Sequence, residues 1–122
     1  MASTHAQRKA LGDYGEQIAA DYLTAEGMVI LERNYRCPVG EIDIVARDGD
    51  TLLICEVKTR RDLSHGTPLE AVTTHKARRL RRLAGHWLDD RDLHVPGVRI
   101  DVVAVIVPTR GRARVERVAG VS

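Results

Sequence analysis

Hydrophobic spacing divides the chain into stretches of two periods. From about residue 5 to 26, Leu11, Tyr14, Ile18, Tyr22 and Ala25 recur at three- and four-residue steps, which predicts a helix with Gly27 as its C-terminal stop. At about 100° per residue, Asp13, Gln17, Asp21 and Thr24 gather into one polar wedge. Glu16 falls outside that wedge, among Gly12, Ala19, Ala20 and Leu23. An acid on such a flank is either desolvated or aimed at a partner, because burying its charge needs compensation. The period then changes. Residues 28–35, 41–47 and 51–59 read as strands, separated by turns at Pro38-Val39-Gly40 and Asp48-Gly49-Asp50. Thr67-Pro68-Leu69-Glu70 has the form of a capping box with proline at the first helical position, so a second helix is expected from there to about Asp89, with a break near Thr73-Thr74. Its apolar stripe is Leu80, Leu83, Ala84 and Trp87; Lys76 lies at the edge of the stripe, whereas Arg78, Arg81 and Arg82 point away. Val98–Val107 reads as a strongly apolar strand, and Arg112–Val118 as a last short one.

Alternation places side chains as well as elements. Leu52, Ile54, Glu56 and Lys58 share one face of the third strand, and Glu41, Asp43 and Val45 share one face of the second. A two-residue loop at Gly49-Asp50, or a four-residue loop over 48–51, sets Asp43 opposite Glu56. A loop at Asp48-Gly49 sets it opposite Ile54 with Glu56 diagonal. Either way the two carboxylates and the ammonium stay together, and opposed Cβ atoms about 4.5–5.5 Å apart allow two acids to share an ion. A Glu-x-Lys pair alone commonly does no more than keep an edge strand from aggregating. Here the surrounding Leu-Leu-Ile-Cys-Val reads as a central, buried strand, whose terminal charges call for partners.

Composition narrows the picture. The chain has 122 residues, 43% hydrophobic and 30% charged, which fits one globular domain with a single core. No apolar run approaches the ~20 residues of a membrane span, so no membrane association is expected. The first residues lack the apolar core of a secretory signal, and Cys37 and Cys55 do not suggest a disulfide scaffold, so the cytoplasm is the expected location. Net charge is only +2, but arginines crowd at 60–61, 78–82 and 110–117, and such clusters can track a phosphate backbone. Arg60, Arg78, Arg79 and Arg82 are the candidate nucleic-acid contacts. Sixteen arginines accompany only three lysines, Lys9, Lys58 and Lys76. Lysines that stand in so arginine-biased a chain invite roles for which a guanidinium cannot substitute, such as proton transfer.

The chemistry follows from these placements. Asp43 and Glu56 offer hard oxygens suited to Mg²⁺ or Mn²⁺, with the Val57 carbonyl as a further ligand and Glu16 binding directly or through water. Lys58 is placed to orient or deprotonate an attacking water, and Lys76 to contact a scissile phosphate. Five scattered histidines show no metal-ligand spacing, no glycine-rich phosphate loop follows a strand, and few aromatics are present to stack bases.

Gly15-Glu16, Asn34-Tyr35-Arg36, Gly40-Glu41-Ile42-Asp43, Glu56-Val57-Lys58-Thr59-Arg60, Lys76 and Arg99-Ile100-Asp101-Val102-Val103 together resemble the uncharacterised YraN-like family. That family is similar to the PD-(D/E)XK nucleases and, among them, to archaeal Holliday-junction resolvases. The resemblance covers roughly residues 8 to 107, leaving the Arg-rich segment 108–122 outside. It implies an α/β, restriction-endonuclease-like fold, a mixed β-sheet flanked by helices in the order α-β-β-β-α-β-β. By the same resemblance Asp43, Glu56 and Lys58 match the core signature, Glu16 the helical acid and Lys76 a further active-site position; Ile42 stands where the superfamily's variable proline would be. The expected activity is metal-dependent endonucleolytic hydrolysis of DNA, branched or damaged, by a protein small enough that a homodimer with two sites is the expected assembly. The alternatives are a non-cleaving nucleic-acid-binding module of the same fold, and an adaptor whose hairpin charges form a satisfied ion-pair network.

Overall fold

A computed structural model describes residues 4–64, 66 and 72–121. The elements are α1 (His5–Ala25), β1 (Val29–Cys37), β2 (Gly40–Asp48), β3 (Thr51–Arg60), α2 (Thr74–Asp90), β4 (Gly97–Ile106) and β5 (Arg114–Val118). They form a mixed five-stranded sheet in the order β1-β2-β3-β4-β5, flanked by helices, consistent with a restriction-endonuclease-like fold. β3 and β4 are parallel, joined by the crossover that contains α2, and every other pairing is antiparallel.

Local chemistry explains the boundaries. Thr4 caps α1, accepting from the Gln7 amide while Gln7 accepts from the Thr4 amide. Gly27, with φ of +93°, lets the chain leave the helix, and Met28 N–H donates back to the Leu23 carbonyl. Asp48 pairs with Thr51, so Gly49-Asp50 is the hairpin loop, the first of the registers weighed above. The capping box at residues 67–70 lies outside the described residues. Within them α2 begins after Thr73, whose hydroxyl accepts from the Lys76 amide.

The sheet separates two apolar layers. On the α2 side lie Ile42, Val45, Leu52, Ile54, Leu80, Leu83, Trp87, Ile100 and Val102. On the α1 side lie Ala19, Ala20, Leu23, Ile44, Leu53, Cys55, Val103 and Val105. The expected stripe is buried only in part: Ile18 and Tyr22 pack half-buried against the α1-side core, whereas Tyr14 is 56% exposed and Ala25 is exposed as well. Gly15, Ala19, Ala20 and Leu23 are the residues buried against the sheet. Small residues let the helix axis come close, and a Cβ built on Gly15 would stand 2.0 Å from Thr59 Oγ1.

The Arg-rich C-terminal segment also contributes to the fold. Asp101, 0% exposed, accepts from Arg99, from Arg117 at 3.2 Å and from the Gly120 amide at 3.0 Å. Arg117 thereby ties β5 to the centre of the sheet, and Val121 is buried against the α2-side core.

Candidate metal and phosphate site

The site lies where β2 and β3 part. Their ladder is regular from Asp48↔Thr51 to Ile44↔Cys55, and one residue further the same register sets Asp43 level with Glu56. Strict alternation fails at this point. Ile42 and Ile44 are two residues apart yet belong to opposite cores, and Asn34, in the neighbouring strand, has φ of +56°. The backbone therefore turns under Asp43, which reaches sideways across the gap and accepts from the Val57 amide at 2.8 Å. This corrects the single face expected for Asp43, Glu56 and Lys58. Asp43 opens with Glu16 into a cleft on the α1 side, whereas Glu56 reaches toward α2. Lys58 lines that cleft and stands 3.7 Å from Glu56, so it touches both halves.

Glu56 is held among cations. Its Oε1 lies 2.9 Å from Lys76 Nζ, and its side chain is only 14% exposed. Lys76 is the basic residue of α2 that reaches the sheet end, as its place at the stripe's edge implied. Lys58 and Lys76 share the Glu56 carboxylate, and a neutral Lys58 amine can accept from the Lys76 ammonium. Burial, and then Lys76, push the Lys58 pKa below the ordinary lysine value. Burial also opposes the charge on Lys76, but its bonds to Lys58 and Glu56 outweigh that and leave its pKa raised. The asymmetry is physical: Lys76 has the shorter ion pair, so Lys58 gives up its proton first.

On the α1 side, the close approach at Gly15 brings Glu16 beside Asp43. Burial raises both carboxyl pKa values. Asp43 adds to the rise at Glu16, while at Asp43 the Val57 amide bond works in the opposite direction. Arg33 from β1 partly offsets the charge of Glu16. Two carboxylate oxygens, Glu16 Oε1 and Glu56 Oε2, are buried without a hydrogen-bond partner. Hard, unsatisfied acceptors of this kind suit a divalent cation, although among the described residues no cage of three or more His, Cys, Asp or Glu side chains is preformed.

The cleft has a volume of about 610 Å³ and adds residues that the sequence did not mark as site candidates, chiefly Arg8, Leu11 and Gly12 from α1 and Arg61 from the end of β3. Their signal in the sequence was proximity, Arg8 lying two helical turns before Glu16 and Arg61 directly after the Glu-Val-Lys-Thr-Arg run. Of the expected nucleic-acid contacts, Arg60 lines the cleft beside Lys58. Arg78, Arg79 and Arg82 are exposed on α2, on the other side of the sheet, with the Arg79 guanidinium over Gly40 in the β1–β2 turn.

The family model described as "Uncharacterised protein family UPF0102" matches residues 15–105, a span that contains every candidate residue named from the sequence. A UPF0102 protein of Kineococcus radiotolerans is 60% identical over 116 residues, covering 94% of this chain and 95% of the relative. One of Nocardioides sp. is 55% identical, covering 93% and 92%, and one of Streptomyces griseus is 57% identical, covering 94% and 98%. With both ends of the match lying near the ends of the chain, and the site residues inside it, the chain belongs to the family UPF0102.

Proposed function

We propose that the protein is a metal-dependent endonuclease that hydrolyses phosphodiester bonds in DNA, acting in the cytoplasm on branched or damaged substrates. The observation that carries this reading is the pair of buried, unpartnered carboxylate oxygens on Glu16 and Glu56, set beside two lysines at the open end of the sheet. A purely structural ion-pair network would have satisfied those oxygens. Asp43 and Glu56, with Glu16 and the Val57 carbonyl, form a donor set suited to Mg²⁺ or Mn²⁺, which needs only one or two carboxylates and keeps several waters. When bound, such a cation supplies Lewis-acid polarisation of a phosphate oxygen and a more acidic water.

The chain's own groups do the rest. Lys58, its pKa lowered, can accept the proton of the attacking water. Lys76 stays charged and offsets negative charge developing on the phosphate. Arg60 steadies the strand beside the cleft, while Arg78, Arg79 and Arg82 grip flanking phosphates. A homodimer would present two such sites to the two strands of a branched duplex.

The test is incubation with linear, nicked, flapped and four-way-junction DNA, with Mn²⁺ or chelator, alongside Glu56→Ala. Cleavage that needs both the metal and Glu56 is expected; no product from any substrate with Mn²⁺ present would reject hydrolysis. One contact favours a second reading, a non-cleaving nucleic-acid-binding module: Lys76 already neutralises Glu56 at 2.9 Å. That module would bind DNA with unchanged affinity whether Mn²⁺ is present or not.

A further inference from the structure

Two basic surfaces flank the site, but they differ in shape. The arginines of α2 stand on an open helix face, whereas those at the end of β3 line the half-open cleft. At about 610 Å³ the cleft falls within the range of pockets that hold small molecules, about 300–1,000 Å³. A duplex, whose major groove alone is ~12 Å wide, is too large to enter it. Both walls carry charge: the β3 wall presents Lys58, Arg60, Arg61 and Asp62, and the α1 wall presents Arg8, Lys9, Asp13 and Glu16 around an uncharged stretch at Leu11 and Gly12, with Lys9 and Asp13 paired at 2.9 Å.

Gly12 is the informative residue of the α1 wall. A glycine inside a helix costs about 0.5–1 kcal/mol relative to alanine. Gly15 repays that cost through its contact with Thr59, but a Cβ at Gly12 would meet nothing within 4 Å. No neighbour in the fold requires the gap, and the gap faces the cleft. Gly85, the other helical glycine with open space around it, lies exposed on α2 and lines no such wall.

We infer that the cleft receives one unpaired nucleotide. Its phosphate lies against Lys58, Arg60 and Arg61, and its sugar and base lie along the uncharged stretch at Leu11 and Gly12. Glu16 follows Gly12 by one helical turn, about 6 Å along the axis, so a nucleotide seated there carries its phosphate to Asp43 and Lys58 in the same cleft. Few aromatics are available for stacking, so shape and phosphate contacts select the ligand, and the preferred substrates carry a single strand or a flipped-out nucleotide at the site. This rests on the nucleic-acid reading above and narrows its substrate to unpaired strands.

The test is fluorescence anisotropy in chelator, where nothing is cut, with a short labelled single strand and a blunt duplex of the same sequence. Three proteins are compared: wild type, Gly12→Leu, which fills the cleft, and Gly85→Leu, which makes the same change on the outer face of α2. Expected are about tenfold tighter binding of the single strand by wild type and Gly85→Leu, and loss of that preference in Gly12→Leu. The melting temperature of Gly12→Leu should stay at or above that of wild type, since the helix gains a side chain without a clash. Equal affinity of wild type for the two DNAs, or a preference that survives in Gly12→Leu, would overturn the inference. Single-strand preference lost in Gly12→Leu, with no cleavage under Mn²⁺, would uphold the cleft's occupant and reject hydrolysis alone. Cleavage of blunt duplex unaffected by Gly12→Leu would do the reverse.

Discussion

Replacing Gly15 by alanine tests how α1 delivers Glu16 to the site. The added methyl would lie 2.0 Å from Thr59 Oγ1, 2.6 Å from Cγ2 and 2.8 Å from Cβ. Ordinary contact begins at 3.4 Å, so something must yield by more than an ångström. Rotating Thr59 about χ1 does not help, because its Cβ is fixed to the β3 backbone and is itself too close. α1 must lift away from the sheet. Overpacking of this kind costs about 1–3 kcal/mol, and the better helix propensity of alanine returns about 1 kcal/mol. The net loss is about 0–2 kcal/mol, or a melting point lowered by up to roughly 10 °C for a domain of this size. Activity should suffer more than stability, because misplacing a catalytic group by about 1 Å can cost about 10²-fold. Thermal melting and cleavage assays of Gly15→Ala, Thr59→Ala and the double variant separate the effects. Thr59→Ala removes the two nearest side-chain atoms but keeps the Cβ at 2.8 Å, so the double variant should recover part of both losses. Strictly additive losses, or a Gly15→Ala protein as stable and active as wild type, would refute the close-approach argument.

Two further predictions address charge. Because the folded-state pKa values of Glu16 and Asp43 are raised, the folded protein binds protons that the unfolded chain has released, and stability falls as pH rises through those values. Glu16→Gln should therefore raise the metal-free melting temperature at pH 7, and the gain should vanish once pH drops below 4.5, the ordinary value of a glutamate carboxyl; a gain independent of pH, or a loss, would contradict the burial of its charge. Replacing Arg78, Arg79 and Arg82 together by alanine should weaken DNA binding and flatten its salt dependence by about 0.9 per lost phosphate contact, measured as the slope of log affinity against log salt. An unchanged slope would remove α2 from the interface.

Strands were more legible in the sequence than helix faces. The turn around Gly49 leaves three loops open in the sequence, all of which keep Asp43 near Glu56; the structure has the Gly49-Asp50 loop, with a ladder that runs to Ile44↔Cys55. The face of α1 was only partly legible because large apolar residues dominate a periodicity count, whereas close packing on a sheet selects Gly15 and Ala19. Strict alternation also hid the sideways reach of Asp43, which depends on the backbone turning beside Asn34. Contacts between residues 55 apart, Tyr35 to Asp90 at 2.6 Å and Trp87 to Glu32 at 3.0 Å, depend on how α2 docks, which no local pattern encodes. Arg91, stacked on Trp87 and paired with Glu32, belongs to the same docking contact.

Neighbouring parts of the sheet treat buried charge differently. Asp101 is fully buried, yet two arginines and a backbone amide satisfy it, and Arg99 passes the network on to Asp48 at 2.9 Å. That is how this fold neutralises an acid that serves structure. Where β2 and β3 part, Glu16 and Glu56 each keep a buried oxygen without a partner, as does Arg33 at Nε beside Glu16, although Lys58 stands close to Glu56. A buried acceptor without a donor costs stability, and under the function proposed above a cation held by these carboxylates would recover that cost.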